Sequence, residues 1–272
     1  MKVLRFFLIL SCAFHVSAQE VDSLLWEEFQ SVPATKNTTW TIDRFGNHYL
    51  CQDGVMLKYD TLSHLTFKQS IKKLGNIKHI MGVNAMKIWV FSEEQQRLCA
   101  FDNTLTPVES CLNLSDLGFE YVAQVCPSAQ PDRLWILDQV NSRLVQYHLS
   151  QHKNAIEISN LKGILSIDEV IKMEESGNNL FISDKNGLIF RLDVYGTLMD
   201  AYELGAFIDF TVENNRLLVL YPDRLMAMML DSGEKYNLTL PVAFPTGLEL
   251  SGMNLYLKTE NKILKYRAVS TP

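Results

Sequence analysis

Histidine and carboxylate side chains are the groups in this chain from which chemistry would have to be built, and their spacing says what is possible. Past residue 18 the histidines are His48, His64, His79, His148 and His152. None forms a metal-spaced pair on one strand, because His148 and His152 straddle a strand end and the loop after it. The acids best placed near strands are Asp43, Asp138, Asp184, Asp193 and Asp209, and acidic and amide groups converging on one point would suit calcium. Asp138 and Asp184, however, occupy the same position of a repeat, where a carboxylate caps a turn. Recurrence at an equivalent site argues for structure, so no catalytic residue, metal or cofactor is expected. No Gly-x-Ser-x-Gly nucleophile, phosphate-binding glycine loop or Cys-x-x-Cys pair occurs.

Cysteine offers one further possibility. Cys51, Cys99, Cys111 and Cys126 lie beyond the N-terminal segment. Cys99 and Cys111 sit symmetrically about a turn near Asn103 to Pro107 and could face each other across a hairpin as a disulfide. The alternative, which the low cysteine density favours, is that all four are small buried hydrophobes inside strands.

The elements that must position these residues come from a repeat. Two short apolar strands joined by a polar turn recur six times, clearest from Leu134 to Tyr147, with first-strand anchors Tyr49, Trp89, Trp135, Phe181, Leu218 and Tyr256. The anchors are spaced by 40, 46, 46, 37 and 38 residues, the period of β-propeller blades. Asp53-Gly54 and Asn186-Gly187 are hairpin turn dipeptides, and the residues between hairpins leave room for two more strands per unit. The fold expected is all-β: a six-bladed propeller of four-stranded antiparallel blades. Little follows the sixth hairpin, so residues 21 to 32, with Leu24, Leu25, Trp26 and Phe29, are expected to close the ring as the outer strand of the last blade and cover its edge.

At the N-terminus, Lys2 and Arg5, the apolar run from Phe6, and Val16-Ser17-Ala18 have the anatomy of a secretory signal, giving a signal peptide at 1–18 and a single propeller domain at 19–272. Losing Lys2 and Arg5 takes 25 basic residues to 23 against 31 acidic ones, a net charge of −8. That balance argues against nucleic acid and anionic lipid as partners, and no stretch reaches the ~18 apolar residues of a membrane span.

The third and fourth repeats, Leu134-Trp135-Ile136 with Asp138, Asn141 and Arg143-Leu144, and Leu180-Phe181-Ile182-Ser183-Asp184 with Gly187-Leu188-Ile189, resemble those of NHL-type six-bladed propellers. The first, Ile42-Asp43-Arg44-Phe45-Gly46-Asn47-His48-Tyr49-Leu50, is similar to repeats of periplasmic sensor propellers. The Ala18-Gln19 junction and the divergent repeats also resemble exported proteins of Bacteroidota, which implies a periplasmic location with outer-membrane association through partners. In that setting small propellers serve as accessory parts of envelope machines, including type IX secretion, and the chain ends without a sorting domain of the type IX kind.

These implications point to a non-catalytic interaction scaffold docking onto envelope proteins of a larger complex. The partner-contact candidates are the loop aromatics Phe119, Tyr121 and Phe244. Two other readings stand beside it: a small-ligand binder or lactonase-like or lyase-like enzyme using the central channel, and a glycan-binding propeller. Trp40, Trp89 and Trp135 fit the core better than a sugar platform.

Overall fold

In the computed structural model, which describes residues 25–82, 87–163 and 165–269, alternation within short strands becomes six four-stranded antiparallel sheets. The signal-peptide segment lies outside the described residues. Strand β1 (Leu25–Pro33) comes first. The first blade is β2 (Thr39–Ile42), β3 (His48–Gln52), β4 (Val55–Tyr59) and β5 (Leu65–Ser70). The second is β6 (His79–Gly82), β7 (Lys87–Ser92), β8 (Arg97–Asp102) and β9 (Leu112–Asn113). The third is β10 (Val122–Pro127), β11 (Arg133–Asp138), β12 (Arg143–His148) and β13 (Lys153–Ile158). The fourth is β14 (Val170–Ser176), β15 (Asn179–Asp184), β16 (Leu188–Asp193) and β17 (Leu198–Glu203). The fifth is β18 (Asp209–Glu213), β19 (Arg216–Leu220), β20 (Leu225–Met229) and β21 (Lys235–Leu238). The sixth holds β22 (Gly247–Ser251), β23 (Asn254–Lys258) and β24 (Lys262–Val269).

The ring closes as the sequence predicts. Strand β1 lies outermost on the sixth blade, antiparallel to β24, from Leu25 opposite Val269 to Pro33 opposite Lys262. The sixth blade is therefore built from both ends of the described chain. Closure leaves no ragged gap between the last blade and the first.

Period-two alternation explains the packing between blades. On β11, Leu134 and Ile136 join the cluster facing the second blade, with Trp89 and Phe91, while Trp135 and Leu137 join the one facing the fourth, with Leu180 and Ile182. Six such clusters fill the six seams. Each anchor aromatic or leucine of the repeat occupies a different seam, from Tyr49 between the first and second blades to Tyr256 between the sixth and first. The repeat thus records how each blade grips the next, which is why large side chains recur at that position.

The turns share a device. Asp43, Asp60, Asp102, Asp184 and Asp193 each accept, on Oδ1, the N–H groups of the residues two and four positions on, at 2.8 to 2.9 Å. The residue three positions on has positive φ in every case: Gly46, Ser63, Leu105, Gly187 and Gly196. At Gly187 the conformation comes with a close approach, since a Cβ there would meet the Gly205 carbonyl oxygen at 2.0 Å. Only glycine fits both conditions.

Candidate functional site in the central channel

The innermost strands surround a cavity of about 480 Å³, lined by residues of β2, β6, β10, β14, β18 and β22. Their short sequences alternate polar and apolar residues, so every second side chain turns toward the seam or the channel. The polar ones form a collar of ties that runs in one direction around the ring.

From the first blade, Thr39 Oγ1 donates to the Ile77 carbonyl at 2.6 Å, in the segment entering the second blade. There His79 Nε2 lies 2.7 Å from Gln124 Oε1 of the third. An amide oxygen only accepts, so Nε2 carries the proton. Gln124 Nε2 in turn donates to the Ile171 carbonyl of the fourth blade at 3.1 Å. Carboxylates take over from this point. Glu174 Oε1 accepts from Val212 N at 2.7 Å and Thr211 Oγ1 at 2.8 Å in the fifth blade. Asp209 Oδ2 accepts from Leu248 N at 2.9 Å in the sixth, and Glu249 Oε2 accepts from Ile42 N at 2.7 Å back in the first.

One cation sits among these acids. Lys172 Nζ donates to Asp209 Oδ1 at 2.8 Å and to the Phe210 carbonyl, and lies 3.4 Å from Glu174 Oε2. Burial alone would depress its pKa, but Asp209 and Glu174 outweigh burial and raise it, so the ammonium form is held. Glu249 has no such partner: no lysine or arginine lies within ion-pair distance among the described residues, and burial pushes its carboxyl up to about 8. Across the channel, burial lowers His79 to about 4, leaving a neutral imidazole at pH 7. The arrangement can therefore hold a fixed ion pair, a neutral histidine and a carboxyl group that exchanges its proton near neutrality. Ser183, wholly buried, also lines the cavity, and its Oγ has no hydrogen-bond partner.

Of the acids singled out in the sequence, only Asp209 reaches this cavity. Asp43, Asp184 and Asp193 cap turns as described, and Asp138, wholly buried, is bonded by Arg143 Nε at 3.0 Å and Asn141 Nδ2 at 2.8 Å. Among the histidines His79 joins the collar, while His48 is buried in the closing seam against Tyr256. His64 and His148 lie 3.4 Å from Asp60 and Asp132 on the periphery, and His152 is exposed. Trp89 and Trp135 are core, but Trp40 is only partly buried and lines the cavity.

The proposed partner-contact residues divide. Phe119 is corrected: it is 2% exposed, with its ring edge-on to Tyr147 at 5.7 Å and beneath the Arg143 guanidinium at 5.3 Å. The turn at Gly118, in the left-handed conformation, folds it back into the seam between the second and third blades. Tyr121 is 37% exposed and bonds Glu93 Oε1 at 3.2 Å, and Phe244 is 82% exposed. Cys99 and Cys111 are joined as a disulfide with Cα atoms 4.2 Å apart, whereas Cys51 and Cys126 are free and buried. Lys172, Glu174 and Glu249 were missed in the sequence, where no local spacing links them.

No protein-family model matches the chain, and no curated protein does. Among solved structures it is similar to a streptogramin B lyase, at 12% identity and a TM-score of 0.65 over 90% of this chain and 98% of that one. It is similar also to a catalytically inactive variant of virginiamycin B lyase from Staphylococcus aureus with quinupristin, at 12% identity and a TM-score of 0.63 over 90% of this chain and all of that one. A third is the Pan2 WD40 domain of Neurospora crassa, at 7% identity and a TM-score of 0.62 over 92% and 98%. These likenesses are of fold. They nevertheless correct the expectation that the chain is not an enzyme. The ring it shares is also the ring of lyases, so the lack of a local motif is no argument against an enzyme.

Proposed function

We propose that the protein binds a small polar molecule in its central channel and can exchange a proton with it there. The observation that carries this reading is Glu249: a carboxyl group on the channel wall, tied to one backbone N–H, lacking a cationic partner and titrating near neutrality. A group with that pKa can serve as acid or base at physiological pH. Lys172, held charged by Asp209 and Glu174, would fix the field around it. The cavity falls in the ~300–1,000 Å³ range of small-molecule sites. The lyase named among similar structures supports the reading only as an instance of this ring handling small molecules.

Screening the intact protein against small polar compounds by thermal shift, then solving a complex, tests it. Hits should raise the Tm and occupy the channel. A ligand found only on the outer surface, or none, overturns it.

A second reading, docking onto envelope proteins in a periplasmic, outer-membrane-associated assembly of the type IX kind, is favoured by Phe244. This phenylalanine is held at positive φ in the loop before β22. Its loop and that of Tyr121 both lead into innermost strands and so open on the same end of the ring. Crosslinking in cells followed by mass spectrometry should recover an envelope partner through that face. Recovery of the free monomer alone would count against it.

A further inference from the structure

We infer that the channel's ligand is an organic cation recognised by the Glu249 carboxylate. The inference rests on the channel reading above and adds the charge class. Three carboxylates, those of Glu174, Asp209 and Glu249, share the channel with two lysines, Lys172 and Lys78, the latter held by Glu93 Oε1 at 2.7 Å. The first two carboxylates are spent: Asp209 takes Lys172 and the N–H groups of Phe210 and Leu248, and Glu174 takes Lys172, Thr211 and Val212. Only Glu249 keeps an oxygen, Oε1, with no hydrogen bond or ion pair among the described residues. Both lysines are equally spent, Lys172 on Asp209 and Glu174 and Lys78 on Glu93, so an incoming anion would find no free ammonium.

One further observation points the same way. Trp40 and Phe207 line the same cavity, and aromatic faces attract ammonium groups. A bare metal ion suits the wall less well, because no group of three or more acidic, histidine or cysteine side chains converges among the described residues. The groups around Glu249 are Asp209 on the fifth blade, Glu174 and Lys172 on the fourth, and Tyr256, its register partner on β23. From β2 it meets the Thr41 hydroxyl and the Ile42 N–H. With its carboxyl raised to about 8, Glu249 is largely protonated at pH 7, and a bound cation would drive the proton off to the buffer.

Calorimetric titration of the full chain at pH 7 with benzyltrimethylammonium, benzoate and benzyl alcohol tests the inference, each run in two buffers of different ionisation enthalpy. Benzyltrimethylammonium should bind saturably with release of close to one proton, and Glu249→Gln should weaken it at least tenfold and abolish the release. The wild-type release stands as a test even if that variant fails to fold. Benzoate or benzyl alcohol binding in the channel while the cation does not would overturn the cation class and leave the channel reading intact. Failure of all three would count against both. Cation binding without proton release, or undiminished in Glu249→Gln, would remove Glu249 from recognition.

Discussion

The Glu249 carboxylate accepts the Ile42 backbone N–H at 2.7 Å across the seam where the sixth blade meets the first. It is the last tie of the collar, made by a group whose burial works against its charge. An acid raised from 4.5 to about 8 binds its proton more tightly folded than unfolded, so its contribution to stability is fully present below about pH 4.5 and is lost as pH rises through 8. Its share of the Tm declines over that window, so the Tm should fall between pH 6.5 and 8, where the buried histidines no longer titrate, and level off above it. In Glu249→Gln, which cannot ionise, this slope should be absent from thermal melts at stepped pH.

The acid limb has the opposite origin. Burial lowers His48 and His79 each to about 4 from 6.5, so folding favours their neutral forms, and the stability they contribute is present above pH 6.5 and lost as pH falls through 4. His79→Gln, which can keep a hydrogen bond to Gln124, should flatten the loss between these limits. An unchanged acid limb in both His79→Gln and His48→Gln would show that other groups set it.

Removing residues 25–33 takes away β1 and bares the β24 edge together with the hydrophobic surface that Val32 covers. The expected result is cooperative loss of the whole ring rather than fraying of one blade, read as collapse of the far-UV signal and the melting transition together. A truncated chain melting like the full one would refute the closure argument.

The Cys99–Cys111 bridge spans 12 residues, and the loop-entropy estimate for a bridge of that size is about 3 kcal/mol. Part of this is already supplied by β8 and its return through the Phe101–Pro107 bridge. Reduction should therefore lower the Tm by a few degrees without unfolding the protein at 25 °C. Non-reducing peptide mapping should recover these two cysteines linked, with Cys51 and Cys126 as free thiols.

Gly187→Ala should destabilise by more than about 1 kcal/mol, because the added carbon meets the Gly205 backbone in a conformation alanine resists. Gly118→Ala, with equal left-handed strain but open space around it, separates the two causes in the same denaturant titration. Equal losses at both sites would mean that the close approach contributes nothing.

The ring was legible because seam packing imposes the same demand at every blade: Trp135 and Phe181 recur where a large side chain must fill the next seam. Asp184 was legible as a turn cap for the same reason. The collar was not, because its members come from different blades and no local motif joins them. A signal did exist. Lys172 and Asp209 are 37 residues apart, Asp209 and Leu248 39, close to one blade period, so polar residues repeating at that step on innermost strands would have pointed to the channel. Glu249 falls on the same step, 40 residues after Asp209, but its own tie to Ile42 spans 207 residues and only the closed ring makes those two neighbours. Phe119 misled because a loop aromatic and a seam aromatic look alike until the turn at Gly118 is known.

The pairing of β1 with β24 also sets an order of events during synthesis. The first strand described is made long before its partner at Lys262–Val269, and until then its apolar residues, Trp26, Phe29 and Val32, have no sheet to join. Five blades can assemble while the ring stays open. Pairing of these two strands is then the step that covers the last open edge of the ring.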